Sequence, residues 1–107
     1  MKILFDQGTP APLRRALMSH VVVTAFEKGW SNMANGDLIR VAEAEDFALL
    51  ITTDKNLRYQ QDLVGRRIAV LILWTTNWLA IQRHEATVAA VATAMRPGEF
   101  RELDQPE

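Results

Sequence analysis

The sequence predicts an α/β fold, a three-layer α/β/α sandwich around a mostly parallel sheet of four or five strands. Three observations lead there. Short aliphatic or β-branched runs, KILFD, VVVTAF, FALLITT and IAVLIL, alternate with longer stretches of helical period. IAVLIL is apolar at every position, as expected of a strand covered on both faces. The chain has 107 residues, 49% hydrophobic and 23% charged, enough to bury roughly two thirds of the unfolded surface in one domain and too few for two cores.

Each element has its own signal. KILFD at 2–6 is the first strand. In TPAPLRRALMS, Thr9 is a candidate N-cap and Pro10 the first helical residue, and Leu13 and Leu17 share a face. VVVTAF at 21–26 is the second strand. The turn EKGWSNMANG leads into DLIRVAEAE, where Leu38, Val41 and Ala42 face inward and Arg40, Glu43 and Glu45 face water. FALLITT at 47–53 is the third strand, and NLRYQQDL reads as a short helix or helical loop closed by Gly65. IAVLIL at 68–73 is the fourth. Thr75, Thr76 and Asn77 offer caps for a last helix in which Trp78, Ile81, Val88, Val91 and Met95 keep one face until Pro97 and Gly98 stop it. Residues 1–100 are read as the domain and RELDQPE, 101–107, as a flexible tail, although FRELD could add a fifth strand at the sheet edge.

Composition narrows the function. Twelve basic and 13 acidic side chains give a net charge of −1, so no global field draws in nucleic acid and any such binding needs a local patch. With no cysteine there is no disulfide framework and no thiolate metal site, which fits a reducing compartment. The longest apolar run, IAVLILW, is far below the roughly 20 residues of a membrane span. Cytoplasm is the expected location, with no membrane association.

The carboxylates carry the chemistry. Ligands of open α/β sheets bind beyond the carboxyl ends of the strands. Asp6 ends the first strand, Asp54 follows the third, and Asp37 opens the helix between them, so three acids are expected to converge. Each also has a bland role: Asp37 can cap its helix and Asp54 can start a turn. Asp6 is harder to dismiss, because a carboxylate directly after ILF at the end of a central strand needs a cation or several donors. Clustered acids repel one another unless a divalent ion neutralises them, and an all-oxygen set suits Mg²⁺ or Mn²⁺.

The succession FDQGTP, GW..MANGDLI..AEAEDF, LLITTDKNLRYQQDL..RRIAVL and TTNW resembles the PIN-like family of small bacterial proteins predicted to be toxins of toxin–antitoxin operons. The resemblance runs from Met1 to about Met95, and TTDKNLRYQQ is its most specific part. It implies a PIN-like α/β/α fold, a metal-dependent endoribonuclease of a type II toxin–antitoxin system, and catalytic and metal-binding roles for Asp6, Asp37 and Asp54. A small antitoxin partner is implied as well, and a homodimer is left open. Gln7 stands where many relatives carry Glu, and Asn56 where many carry Asp; both, with Thr53, are candidate supporting polar groups.

Phosphodiester hydrolysis needs an activated water and positive charge near the phosphate, which carboxylate-held Mg²⁺ or Mn²⁺ supplies. Lys55 and Arg58 are candidate contacts to RNA phosphates, with Arg66 and Arg67 extending the patch and Tyr59 available to stack on a base; their ordinary alternatives are a solvated loop and core packing. His84 is expected on the apolar face of the last helix, His20 has no visible partner, and Trp74 and Trp78 read as anchors. Trp30 and Met33 are candidate anchors for the antitoxin, unless they pack on their own sheet. Two other classes compete. One is a catalytically decayed PIN-like module that only binds RNA or protein. The other, a receiver-type phosphoacceptor using Asp54, is disfavoured by Gln7, by the lack of a late Lys-Pro and by four strong strands rather than five. Exchanging Lys55 and Arg58 together for alanine is expected to weaken RNA binding across all sequences and flatten its salt dependence; unchanged salt slopes in a filter-binding titration would place the RNA path elsewhere.

Overall fold

A computed structural model of the chain describes residues 1–57 and 65–106. Its frame is a five-stranded sheet, β1 Lys2–Phe5, β2 Val21–Thr24, β3 Leu49–Thr52, β4 Ala69–Ile72 and β5 Phe100–Glu102, in the order β2-β1-β3-β4-β5. Every neighbouring pair is parallel. Parallel strands require crossovers, and the crossovers deposit helices on both faces. A 3₁₀ helix at Ala11–Leu17 and two α-helices, α3 Trp78–Gln82 and α4 Glu85–Ala94, cover one face, while α1 Ala25–Lys28 and α2 Asn35–Ala44 cover the other.

The period-2 alternation of the strands sorts the core into two clusters. Ile3, Phe5, Leu49, Ile51, Ala69 and Leu71 face Leu13, Leu17, Ile81, Val88 and Ala92. Leu4, Leu50, Val70 and Ile72 face Ala25, Leu38, Ile39 and Ala42. The β3 and β4 strands are buried at all four positions, so truncating one of their leucines to alanine costs about 2–5 kcal/mol.

Several expected elements end differently. The second strand stops at Thr24 because Thr24 and Glu27 close a capping box: the Glu27 amide donates to Thr24 Oγ1 at 3.1 Å and the Thr24 amide to Glu27 Oε1 at 2.9 Å. Thr9 does not cap the next turn; Pro10 stands at that position, and the turn is 3₁₀ rather than α. The long last helix is two helices. Their junction lies at Arg83 and His84, where the His84 ring packs edge-on against Trp74 at 5.9 Å instead of continuing an apolar stripe. Arg15 bridges onto the second helix through two hydrogen bonds to Glu85 and lies over the Trp78 ring. His20, for which the sequence offers no partner, accepts from the terminal ammonium at Nδ1, and its Nε2 lies 3.1 Å from Thr93 Oγ1. Residues 101 and 102 belong to β5 and Leu103 packs on the core, so the fifth strand forms and the domain runs past residue 100. The expected helix at NLRYQQDL lies almost wholly outside the described residues.

Glu43, at the end of α2, holds the approach to β4. Its Oε2 accepts from the amides of Arg67 at 2.8 Å and Ile68 at 3.1 Å, and Arg66 pairs with it at 3.8 Å. The Ile68 amide is the largest of the influences that lower its pKa below 4.5, with the Arg67 amide and the two arginine charges adding to it against partial burial. A carboxylate with a depressed folded-state pKa stabilises the fold above its ordinary range and loses that contribution as pH falls. Glu43→Gln should therefore cost about 1–3 kcal/mol at neutral pH, measured by urea unfolding, and should shrink the loss of stability on acidification below pH 4.5. An acid profile identical to that of the wild type would refute this assignment.

Candidate active site at the carboxyl ends of the central strands

The chain leaves β1 for β2 on one side and later crosses to β3 on the other, so the topological switch point lies between β1 and β3. In open parallel sheets the ligand crevice opens there, beyond the carboxyl ends. Phe5 pairs with Ile51, and one step further the register sets Asp6 beside Thr52. Both side chains fall on the same face by alternation. The Thr52 hydroxyl, fully buried, donates to Asp6 Oδ2 and accepts from the Asp54 amide at 3.1 Å. One hydroxyl thus ties the Asp6 carboxylate to the Asp54 backbone.

Each carboxylate is oriented by further donors. Asp6 Oδ1 accepts from the Thr9 amide at 3.1 Å. The Thr9 hydroxyl lies 2.7 Å from the same oxygen and 2.8 Å from the Ile51 carbonyl, so its single proton serves one acceptor at a time. Asp54 Oδ1 accepts from the Asn56 amide at 3.0 Å, and its Oδ2 accepts from the Asn35 side-chain amide. Asn35 is the first residue of α2, which joins that helix directly to the loop after β3. Gly8 brings a third loop close: a Cβ there would stand 2.5 Å from Thr53 Oγ1 and 3.7 Å from the Thr76 methyl. A cavity of about 440 Å³ opens beside Asp6, its wall including Gln7, Thr24, Phe26, Ser31 and Thr76.

The structure links the Asp6 carboxylate to the Asp54 backbone through Thr52, and Asp37 takes no part in that link. Asp37 is exposed in the first turn of α2 and pairs with Arg40 at 3.0 Å. Among the described residues no group of three His, Cys, Asp or Glu side chains is placed to hold a metal ion. Gln7 is exposed on the cavity wall, Thr53 is half-buried against Gly8, and Asn56 contributes its backbone amide. Lys55 is exposed beside a smaller cavity of about 70 Å³ that it shares with Glu102 and Asp104. Arg66 and Arg67 precede β4 and so lie at the amino end of the sheet, with Glu43, opposite the acids; they do not extend a patch around Asp54. Arg58 and Tyr59 fall outside the described residues. Trp30 and Met33 are half-buried and pack on the α2 side of the sheet, Trp30 edge-on to Phe47 at 6.3 Å, so they are not exposed anchors.

Thr9, Thr52 and Asn35 are the site residues that sequence reasoning passes over. A signal for Thr52 exists: it precedes Asp54 by two in a strand predicted to lie beside the one ending in Asp6. Compared with known proteins, the chain matches no protein-family model, no curated protein and no solved structure.

Thr52→Val keeps the volume and removes the hydroxyl, leaving the Asp54 amide without its acceptor and Asp6 Oδ2 without its donor. The expected cost is about 1–3 kcal/mol in urea unfolding, with Thr52→Ser losing much less. Equal stability of the valine and serine variants would show that the bridge contributes nothing.

Proposed function

We propose that this chain is a metal-dependent endoribonuclease that hydrolyses phosphodiester bonds in single-stranded RNA, with Asp6 and Asp54 holding a Mg²⁺ or Mn²⁺ ion. The observation that supports it most is the link at the switch point, where the Thr52 hydroxyl joins the Asp6 carboxylate to the Asp54 backbone and an open cavity borders Asp6. The ligand atoms these two acids offer are carboxylate oxygens, which suit a hard divalent ion. Mg²⁺ is commonly held by one or two carboxylates, with water and substrate phosphates filling its other positions, so the reading does not require Asp37. When bound, such an ion polarises the phosphodiester and supplies a nucleophilic water.

The chain's own residues set the geometry. Thr9 and Thr52 fix the rotation of the Asp6 carboxylate, and Asn35 with the Asn56 amide fixes that of Asp54. The cavity wall beside Asp6 gives the RNA strand a place to lie. The resemblance to the PIN-like toxins supports the same reaction and adds control by a small antitoxin protein covering this open end of the sheet.

One observation favours the competing binding module. All four carboxylate oxygens of Asp6 and Asp54 accept hydrogen bonds from the protein itself, as acids that merely fasten loops would. The receiver reading gains the fifth strand but keeps two objections: Gln7 occupies the place of a second acid, and no Lys-Pro follows a late strand.

Cleavage of an unstructured RNA in Mn²⁺, freed of any partner, tests the proposal. The wild type should cleave, and Asp6→Asn should lose at least about a hundredfold in rate together with most of its affinity for the ion. A wild type that binds RNA without cutting it, or an Asp6→Asn protein that binds Mn²⁺ equally well, would leave the binding module as the better description.

A further inference from the structure

Phe26 is the second residue of α1 and is 81% exposed, while its neighbour Ala25 is buried. It belongs to neither core cluster. Burying a phenylalanine stabilises a fold by about 1.5–3 kcal/mol, so the fold forgoes that contribution here. A single exposed apolar residue is ordinary by itself. Its setting is not, because the ring stands on the wall of the 440 Å³ cavity that also contains Asp6.

The turn that carries the ring is held from several sides. The Thr24–Glu27 capping box closes its start, Gly29 ends it at φ 76°, the Trp30 amide donates to the Ala25 carbonyl at 2.8 Å, and Arg14 pairs with Glu27 from the 3₁₀ helix. A ring displayed from a fixed turn loses little freedom when a flat ligand settles on it. The same cavity is lined by Gln7, whose amide offers donors and an acceptor, and by Ser31 and Thr76, which offer hydroxyls.

We infer that this cavity is a nucleobase subsite, in which Phe26 stacks on one unpaired base of an RNA strand whose phosphodiester lies at Asp6. This inference rests on the ribonuclease reading and names its base-binding residue. Stacking on an aromatic ring is tolerant of base identity, so Phe26 supplies affinity for bases in general and Gln7 whatever preference exists among them.

The test uses fluorescence anisotropy without divalent ions, comparing an eight-nucleotide oligouridylate with an abasic oligomer of equal length. The wild type should prefer the base-bearing strand. Phe26→Ala and Phe26→Leu should weaken binding of the oligouridylate by about five- to a hundredfold, Phe26→Trp should retain it, and none should change binding of the abasic strand. Thermal melting of each variant checks folding, which an 81%-exposed side chain should not disturb. If Phe26→Ala binds the oligouridylate like the wild type, or if the wild type binds both strands alike, the subsite is refuted while the ribonuclease reading stands on its cleavage assay. Loss of base-dependent binding in a protein that cleaves nothing would retain the subsite and remove the catalytic reading. A wild type that binds neither strand would also refute the subsite, and the ribonuclease reading would again be decided by the cleavage assay.

Discussion

Parallel pairing of β1 with β3 is the constraint on which the rest of the molecule depends. Because all five strands run the same way, every strand delivers its following loop to one end of the sheet, and the reversal of winding between β1 and β3 leaves a gap among those loops. The register then decides what fills it. Phe5 opposite Ile51 puts Asp6 opposite Thr52, and the buried Thr52 hydroxyl passes the connection to the Asp54 backbone. A slip of one residue would turn both side chains to the other face and break the link. The same parallel rule assigns the opposite end to structure: Glu43 there fastens the entry to β4 and draws in Arg66 and Arg67.

The site is also where the fold's polar demands concentrate. Thr9 and Thr52 are the buried polar side chains among the described residues, and both hydrogen-bond to Asp6. Burying hydroxyls without partners is costly, so their placement beside a carboxylate satisfies them and fixes the acid at once. This dual use gives the arrangement two possible histories of function, an oriented ligand set or a loop fastening. The open cavity with an exposed aromatic ring on its wall is more than a fastening requires.

Much of the fold was legible because apolar patterning reports burial directly. IAVLIL and the core of FALLITT are buried throughout, as their unbroken apolar character required. Local boundaries were less legible where two signals compete. The β-branched run VVVTAF suggested a strand to residue 26, while the T-x-x-E spacing inside it starts a helix, and the capping box prevailed. Asp6 and Asp54 could be placed at one end of the sheet from chain order alone. Asp37 could not be placed by the same rule, because lying in the first turn of a helix does not fix which way a side chain points; Asn35, two residues earlier, is the one that reaches Asp54. Arg66 and Arg67 show how spacing in sequence can mislead: they follow Asp54 closely in the chain, yet they precede the next strand, and residues before a parallel strand belong to the far end.

Whether Asp6 and Asp54 jointly hold a divalent ion is the claim on which the functional account turns. A Mn²⁺ titration followed by amide NMR addresses it directly, because the paramagnetic ion broadens nearby resonances whether or not any reaction occurs. The account predicts that substoichiometric Mn²⁺ broadens the amides of Asp6 to Thr9 and of Thr52 to Asn56 first. Broadening centred instead on Glu43 and Asp46 at the amino end, or no localised broadening at all, would contradict it.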